Sequence, residues 1–239
     1  MQKWAQDLLT ALEGAGGVQD VYEAIRGASV RLGFDWCAFG ARFRLTTFRT
    51  AVSMVNNYPE AWRLRYDQAG YVNMDPTVAR AGRSQKSFVW SDALFSDTPE
   101  LWSEAQDFGL CVGWAQSYFD AQGTGSLLTL ARSAEPLTDL ELRGKALELN
   151  WLVSTAHECL TRELAPATSS APAVSLTQRE IEVLQWAAAG KTTEDTAAIL
   201  AISVDTAKFH IKNAITKLDA SNKTAAVVRA MALGLLRWE

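Results

Sequence analysis

The chain offers little for nucleophilic or metal chemistry. Its only histidines are His157 and His210, and its cysteines are Cys37, Cys111 and Cys159. His157 and Cys159 stand two apart on a helical stretch, so they do not share a face, although partners distant in sequence stay open. HExxH, CxxC, GxSxG and phosphate-loop patterns are all missing. Gly14-Ala15-Gly16-Gly17 follows no strand and precedes no lysine, so it reads as a turn between helices. The chemistry available is recognition. Tyr58, Trp62 and Tyr66 recur four apart, along one face of a helix opened by Pro59. Asp75 stands before Pro76. An indole N–H is a lone donor, an ionised carboxylate only accepts, and a phenol does both. The same aromatics suit plain core packing, and an Asp before Pro suits a turn. A second set is cationic. Lys208 and Lys212 lie four apart on one helical face, with Thr206 before them, Asn213 beside them and Lys217 further on. Lysines neutralise phosphates and donate to guanine edges. A solvated lysine face is the plain alternative.

The elements that must position these groups fall into two parts. Residues 165–173 (Ala165-Pro166-Ala167-Thr168-Ser169-Ser170-Ala171-Pro172-Ala173) carry no charge and no large apolar group, and read as a linker. That predicts an N-terminal domain over 1–164 and a C-terminal one over 174–239. The first mixes helical patterns (4–13, 18–32, 59–68, 76–81, 99–108) with strands at 34–43, 51–55, 113–119 and 126–132. The last two strands form a hairpin through the loop 120–125. Thr138 and Glu141 have the spacing of a capping box, opening a helix whose apolar stripe runs Leu142, Ala146, Leu149, Val153, Ala156, Leu160. That stripe packs on the sheet or also serves a dimer interface. Helices on an antiparallel sheet give an α+β domain. Composition agrees with a packed globular protein, with 48% apolar and 21% charged residues and nine tryptophans. A net charge of −4 argues against non-specific nucleic-acid or membrane binding, so any DNA contact needs a local basic surface. The odd, unpaired cysteines read as reduced thiols of a cytoplasmic protein. No apolar run reaches the ~18 residues of a membrane span, and the N-terminus lacks a signal-peptide core.

The C-terminal domain reads as four short helices. Thr177 and Glu180 form a capping box, with Leu176 and Ile181 as a hydrophobic staple. Gly190 ends the first helix, and the second begins near Thr192. Ala201-Ile202-Ser203 makes a tight turn before the third helix, where Phe209, Ile211, Ile215 and Leu218 are expected to turn inward. The run Leu176 to Leu184, then Ala189-Gly190-Lys191-Thr192, Ile199 to Ser203, Phe209 to Asn213, Lys217-Leu218, Ser221-Asn222-Lys223 and Gly234-Leu235 resembles the LuxR-type helix-turn-helix. The resemblance implies an all-α, four-helix DNA-binding domain, with Thr192, Thr206, Lys208, Lys212, Asn213, Lys217 and Lys223 at the DNA. Two residues depart from the pattern. Thr196 stands where Ile is usual and Ala207 where Val is usual. Burying Thr in place of Ile implies a loss of about 1–3 kcal/mol.

The N-terminal residues Tyr58-Pro59-Glu60-Ala61-Trp62, Tyr66, Tyr71, Asp75-Pro76 and Trp90 resemble the autoinducer-binding domain of quorum-sensing regulators, as do Gly33-Phe34-Asp35, Phe39-Gly40 and the stretch Trp102 to Leu110. The resemblance implies an α/β/α sandwich that binds an N-acyl homoserine lactone of medium to long chain, with no cofactor and no metal. It assigns Trp62 to the lactone carbonyl, Asp75 to the amide N–H and Tyr58 to the amide carbonyl. Trp90 and Tyr66 pack on the head group, and Thr129 occupies a position that often carries a hydroxyl. The tail falls to Ala38, Gly40, Val55, Val78, Gly82, Leu110, Val112, Leu127 and Leu128. Arg63 meets a 3-oxo group through water or is a solvated arginine. The whole is then a homodimeric, ligand-responsive transcription regulator rather than an enzyme. Its partners are the autoinducer and a two-fold DNA operator, with RNA polymerase as a further one and no membrane. The alternatives are another small apolar ligand, or a lactone hydrolase, against which the missing metal-ligand cluster counts.

Overall fold

The computed structural model describes residues 3–44, 50–121, 123–166 and 174–236. The chain divides into two compact units that separate after Ala165. Most of the expected linker, from residue 167, lies outside the described residues, as do Gln122 of the hairpin loop and the last three residues of the C-terminal stretch.

The first unit begins with helices α1 (Lys3–Glu13) and α2 (Val18–Arg31). Strands β1 (Trp36–Arg44) and β2 (Thr50–Asn56) follow, then α3 (Glu60–Gln68), a 3-10 turn (Tyr71–Asn73) and α4 (Pro76–Ala81). After these come β3 (Phe88–Val89), α5 (Pro99–Asp107), β4 (Val112–Phe119), β5 (Gly125–Arg132), α6 (Asp139–Gly144) and α7 (Ala146–Leu164). The sheet order is β2-β1-β5-β4-β3. β5 runs antiparallel to both its neighbours, and β3 antiparallel to β4. Strand alternation sorts β1 between two cores. Cys37, Phe39, Ala41 and Phe43 join Leu128, Leu130 and Trp114 in a core closed by α1, α2 and α7. Ala38 and Gly40 face the other way, where Trp62, Tyr71, Leu101 and Leu110 make a second core. The unit is therefore the expected α/β/α sandwich.

Three local features differ from the sequence reading. β3 and the 3-10 turn were not predicted, because two or three residues are too few to show a period. The helix expected to run on from Thr138 breaks at Lys145, next to Gly144, a poor helix former. Lys145 Nζ reaches the Leu32 carbonyl at 2.7 Å and Glu141 at 2.8 Å, tying the break to α2. The capping box at Thr138 is half formed. The Thr138 hydroxyl accepts from the Glu141 N–H, but the Glu141 carboxylate turns instead to Arg132 and Lys145.

The second unit contains α8 (Gln178–Ala188), α9 (Thr193–Ile199), α10 (Val204–Lys217) and α11 (Lys223–Ala232). The Thr177–Glu180 capping box is complete, and a second one joins Thr192 and Asp195. Ser203 caps α10 and Asn222 caps α11. The turn between α9 and α10 passes through Ala201 at φ 53, a left-handed conformation that disfavours a side chain. Leu184, Ala214, Leu218, Ala226, Ala230 and Leu236 fill the core. Among the described residues no helix is long and apolar enough to cross a membrane.

Candidate functional site

The outer face of the sheet does not close on its helices. Between β1, β5 and the α3–α4 segment lies a cavity of about 520 Å³, within the range of small-molecule sites. Ala38, Tyr58, Trp62, Tyr66, Asp75, Val78, Trp90, Leu110 and Thr129 all line it. Each arrives for a local reason. Ala38 pairs with Thr129 across β1 and β5, so their side chains share one face. Pro59 caps α3, whose turn brings Trp62 and Tyr66 round together, with ring centroids 5.8 Å apart. Asp75 is the N-cap of α4, with Pro76 in its first turn. The Trp90 indole covers Gly113 of β4: the Trp90 backbone N–H donates to the Gly113 carbonyl at 2.8 Å, and a Cβ on Gly113 would fall 2.0 Å from the indole.

The polar groups of this cavity are few. Asp75 accepts from the Thr77 N–H (2.8 Å), the Thr77 hydroxyl (2.6 Å) and the Tyr66 hydroxyl (2.8 Å). The Val78 backbone N–H also acts on this carboxylate, which when ionised only accepts. Burial pushes the Asp75 carboxyl above its ordinary range, and the Thr77 and Tyr66 hydrogen bonds oppose that shift. Burial also raises the Tyr58 and Tyr66 hydroxyls, with Asp75 adding to both shifts. Those hydroxyls are therefore protonated donors at neutral pH. Among the described residues the Tyr58 hydroxyl, the Trp62 indole N–H and the Thr129 hydroxyl have no hydrogen-bond partner. The Trp90 indole N–H is buried and likewise has no partner among the described residues. Such groups are costly unless something supplies the missing partner.

The rest of the wall is apolar. Gly40, Gly82 and Leu127 line it as expected. Val55, Val112 and Leu128 are not among the lining residues, and Val55 and Leu128 belong to the opposite core. Leu127 and Leu128 are consecutive on a strand, so only one can face the cavity. Arg63 lines the cavity and is exposed. The sequence reading missed Phe95, Leu101 and Ala105, and the rim formed by Val52, Met54, Leu64 and Val72. The four-residue step from Leu101 to Ala105 was the available signal. It also missed the brace over this face, where Glu104 of α5 accepts from Arg65 and Tyr71. Phe95 and Trp102 stack 4.7 Å apart beside Trp90.

In the second unit, Ala207, Ile211, Ala214 and Leu218 form the buried stripe of α10. Thr206, Lys208 and Lys212 are exposed, and Asn213 is half-buried beside them. Thr192 is exposed as the cap of α9. Two expected contact residues already hold partners. Lys217 donates to the buried Glu180 carboxylate at 2.8 Å, which ties α10 to α8. Lys223 reaches the Lys191 carbonyl at 3.4 Å. Phe209, expected inside, is 60% exposed. Thr196 is buried, but its hydroxyl donates to the Thr192 carbonyl at 2.7 Å, which removes most of the expected polar cost of replacing Ile.

Comparison with known proteins agrees with this division. Residues 17–160 match the family described as the autoinducer binding domain, and residues 174–230 match the luxR family of bacterial regulatory proteins. The chain is 38% identical to the transcriptional activator protein AnoR of Acinetobacter nosocomialis, over 99% of this chain and 100% of that protein. It is 36% identical to the quorum-sensing regulator RhlR of Pseudomonas aeruginosa, over 98% and 96%. The structure of SdiA, a regulatory protein of Escherichia coli, in complex with octanoyl-rac-glycerol superposes over the whole of both chains with a TM-score of 0.76 at 30% identity.

Proposed function

We propose that this chain, which belongs to the LuxR family of quorum-sensing transcription regulators, takes an N-acyl homoserine lactone of medium to long chain as its effector. The observation that carries the reading is the set of unpaired donors in an otherwise apolar cavity. The Trp62 N–H donates to the lactone carbonyl and the Tyr58 hydroxyl to the amide carbonyl. Asp75, an acceptor when ionised, takes the amide N–H. Tyr66 and Trp90 pack on the head group, Thr129 offers its hydroxyl, and the tail runs along Ala38, Gly40, Val78 and Leu110. The Trp62 and Tyr58 donors thus gain the partners that the protein withholds.

The filled first unit stabilises a homodimer, and the dimer sets two copies of α10 on a two-fold operator, where the regulator meets RNA polymerase in the cytoplasm. Thr192, Thr206, Lys208, Lys212 and Asn213 face the DNA, and Lys217 and Lys223 brace the helices behind them. Melting temperature measured against lactones of graded acyl length tests the reading. A rise that peaks at one medium or long chain is expected. No rise with any lactone, in folded protein, would overturn it. The SdiA complex favours one competing ligand class, an acylglycerol, so octanoyl glycerol belongs in the same series.

A further inference from the structure

Phe209 stands where neither core packing nor charge explains it. At 100° per residue it lies opposite the buried stripe of α10, at the centre of the outward face. Lys212 and Asn213, three and four residues on, and Thr206, three residues before, surround it on that face. Its 60% exposure means that the ring fills no gap in the second unit. The His210 ring meets it edge-on, with centroids 5.5 Å apart and planes at 69°, which limits where the phenyl can swing. The neighbours are suited to phosphates and to the polar edges of bases. Phosphate contacts position a helix on DNA without reading sequence. The one apolar feature that a base pair presents in the major groove is the 5-methyl group of thymine.

We propose that Phe209 reads a thymine methyl group, one in each half-site, and so supplies sequence discrimination that Lys208 and Lys212 do not. This rests on the reading above that α10 enters the major groove.

The test uses the full chain, with and without N-octanoyl homoserine lactone, and the best duplex it selects from a random pool. Each thymine of that duplex is then replaced in turn by deoxyuridine, which removes only the methyl group. At one position per half-site the parent should bind about fourfold more weakly, the worth of one buried methyl group. Phe209→Ala, which removes the contact in both half-sites, should bind the intact duplex more weakly by about the square of that factor, show no further loss at that position, and keep the parent's salt dependence. Lys212→Ala should instead flatten the salt dependence. A parent indifferent to deoxyuridine at every thymine, or a Phe209→Ala variant that keeps the parent's sensitivity, would overturn the proposal. If Lys212→Ala still flattens the salt dependence, only the role of Phe209 falls. If both variants bind as the parent does, or no duplex is selected, α10 is not the reading helix and the underlying reading falls as well. Phe209 is exposed, so its removal should leave the melting temperature unchanged.

Discussion

Asp75 serves two ends with one carboxylate. One oxygen caps α4 through Thr77, and the other holds the Tyr66 hydroxyl against the cavity. The plain turn reading of an Asp before Pro and the ligand reading therefore describe different atoms of one side chain. Asp75→Asn should keep the fold and lose a charge-assisted acceptor worth about 1.5–3 kcal/mol to a bound amide. Lactone titrations followed by melting temperature should show a loss of about ten- to a hundredfold in apparent affinity. An unchanged dose-response would remove Asp75 from the site. Two glycines on the same face of the sheet should respond oppositely to substitution. A Cβ on Gly40 meets nothing within 4 Å, so Gly40→Leu should enter the cavity and move the preferred ligand to shorter acyl chains, read from the same graded series. A Cβ on Gly113 meets the Trp90 indole at 2.0 Å, so Gly113→Ala should displace that ring and weaken every lactone alike. The first role was legible from residue size. The second was not, because nothing in the sequence pairs Trp90 with Gly113.

Helix starts were the most legible elements, because a cap is satisfied within four residues of chain. Thr177–Glu180 formed as its spacing required, and the tight turn before Ser203 is present. Where a carboxylate had a distant cation within reach, spacing misled. Glu141 left its box for Arg132, and Lys217 of the DNA-facing set is held by Glu180, 37 residues away. Lys217→Ala should leave the buried Glu180 without its cation and cost about 2 kcal/mol. Hydrogen exchange on the full chain should report this as lost amide protection in α8 and α10, and unchanged protection would contradict it. The turn between α9 and α10 should respond in the other direction. Ala201 holds a left-handed conformation that costs a side-chain-bearing residue about 1–2 kcal/mol. Ala201→Gly relieves that strain and gives part of it back as extra freedom in the unfolded chain. The same amides should gain protection. Phe209 is apolar yet faces outward, because its helical phase is opposite the buried stripe.

For the molecule as a whole, His157 and Glu141 are two of the groups that should make stability depend on pH. His157 is enclosed by Ser126, at 2.8 Å from Nδ1, by the Tyr118 ring, and by Asp120, at 3.5 Å from Nε2. Burial lowers its pKa below the ordinary 6.5 more than Asp120 raises it. The unfolded chain therefore binds the proton more readily, and stability should fall as pH drops below about 6.5. Glu141 is held down to about 2 by Arg132 and Lys145, so a second loss should follow between about pH 4.5 and 2. Denaturant titrations across this range should show both, and His157→Gln should remove the first. Ligand acts on the same balance, since saturation at ~100 times the dissociation constant adds about 2.7 kcal/mol to the folded state. The nine tryptophans carry a further consequence. Trp62 and Trp90 border the cavity, and Trp90 lies edge-on to Trp102, 6.1 Å away. Setting the lactone head group and the first chain carbons against the two bordering indoles changes the polarity that their excited states sense. The emission maximum should move to shorter wavelength as the cavity fills, so the protein carries a built-in optical gauge of its own occupancy and needs no attached dye.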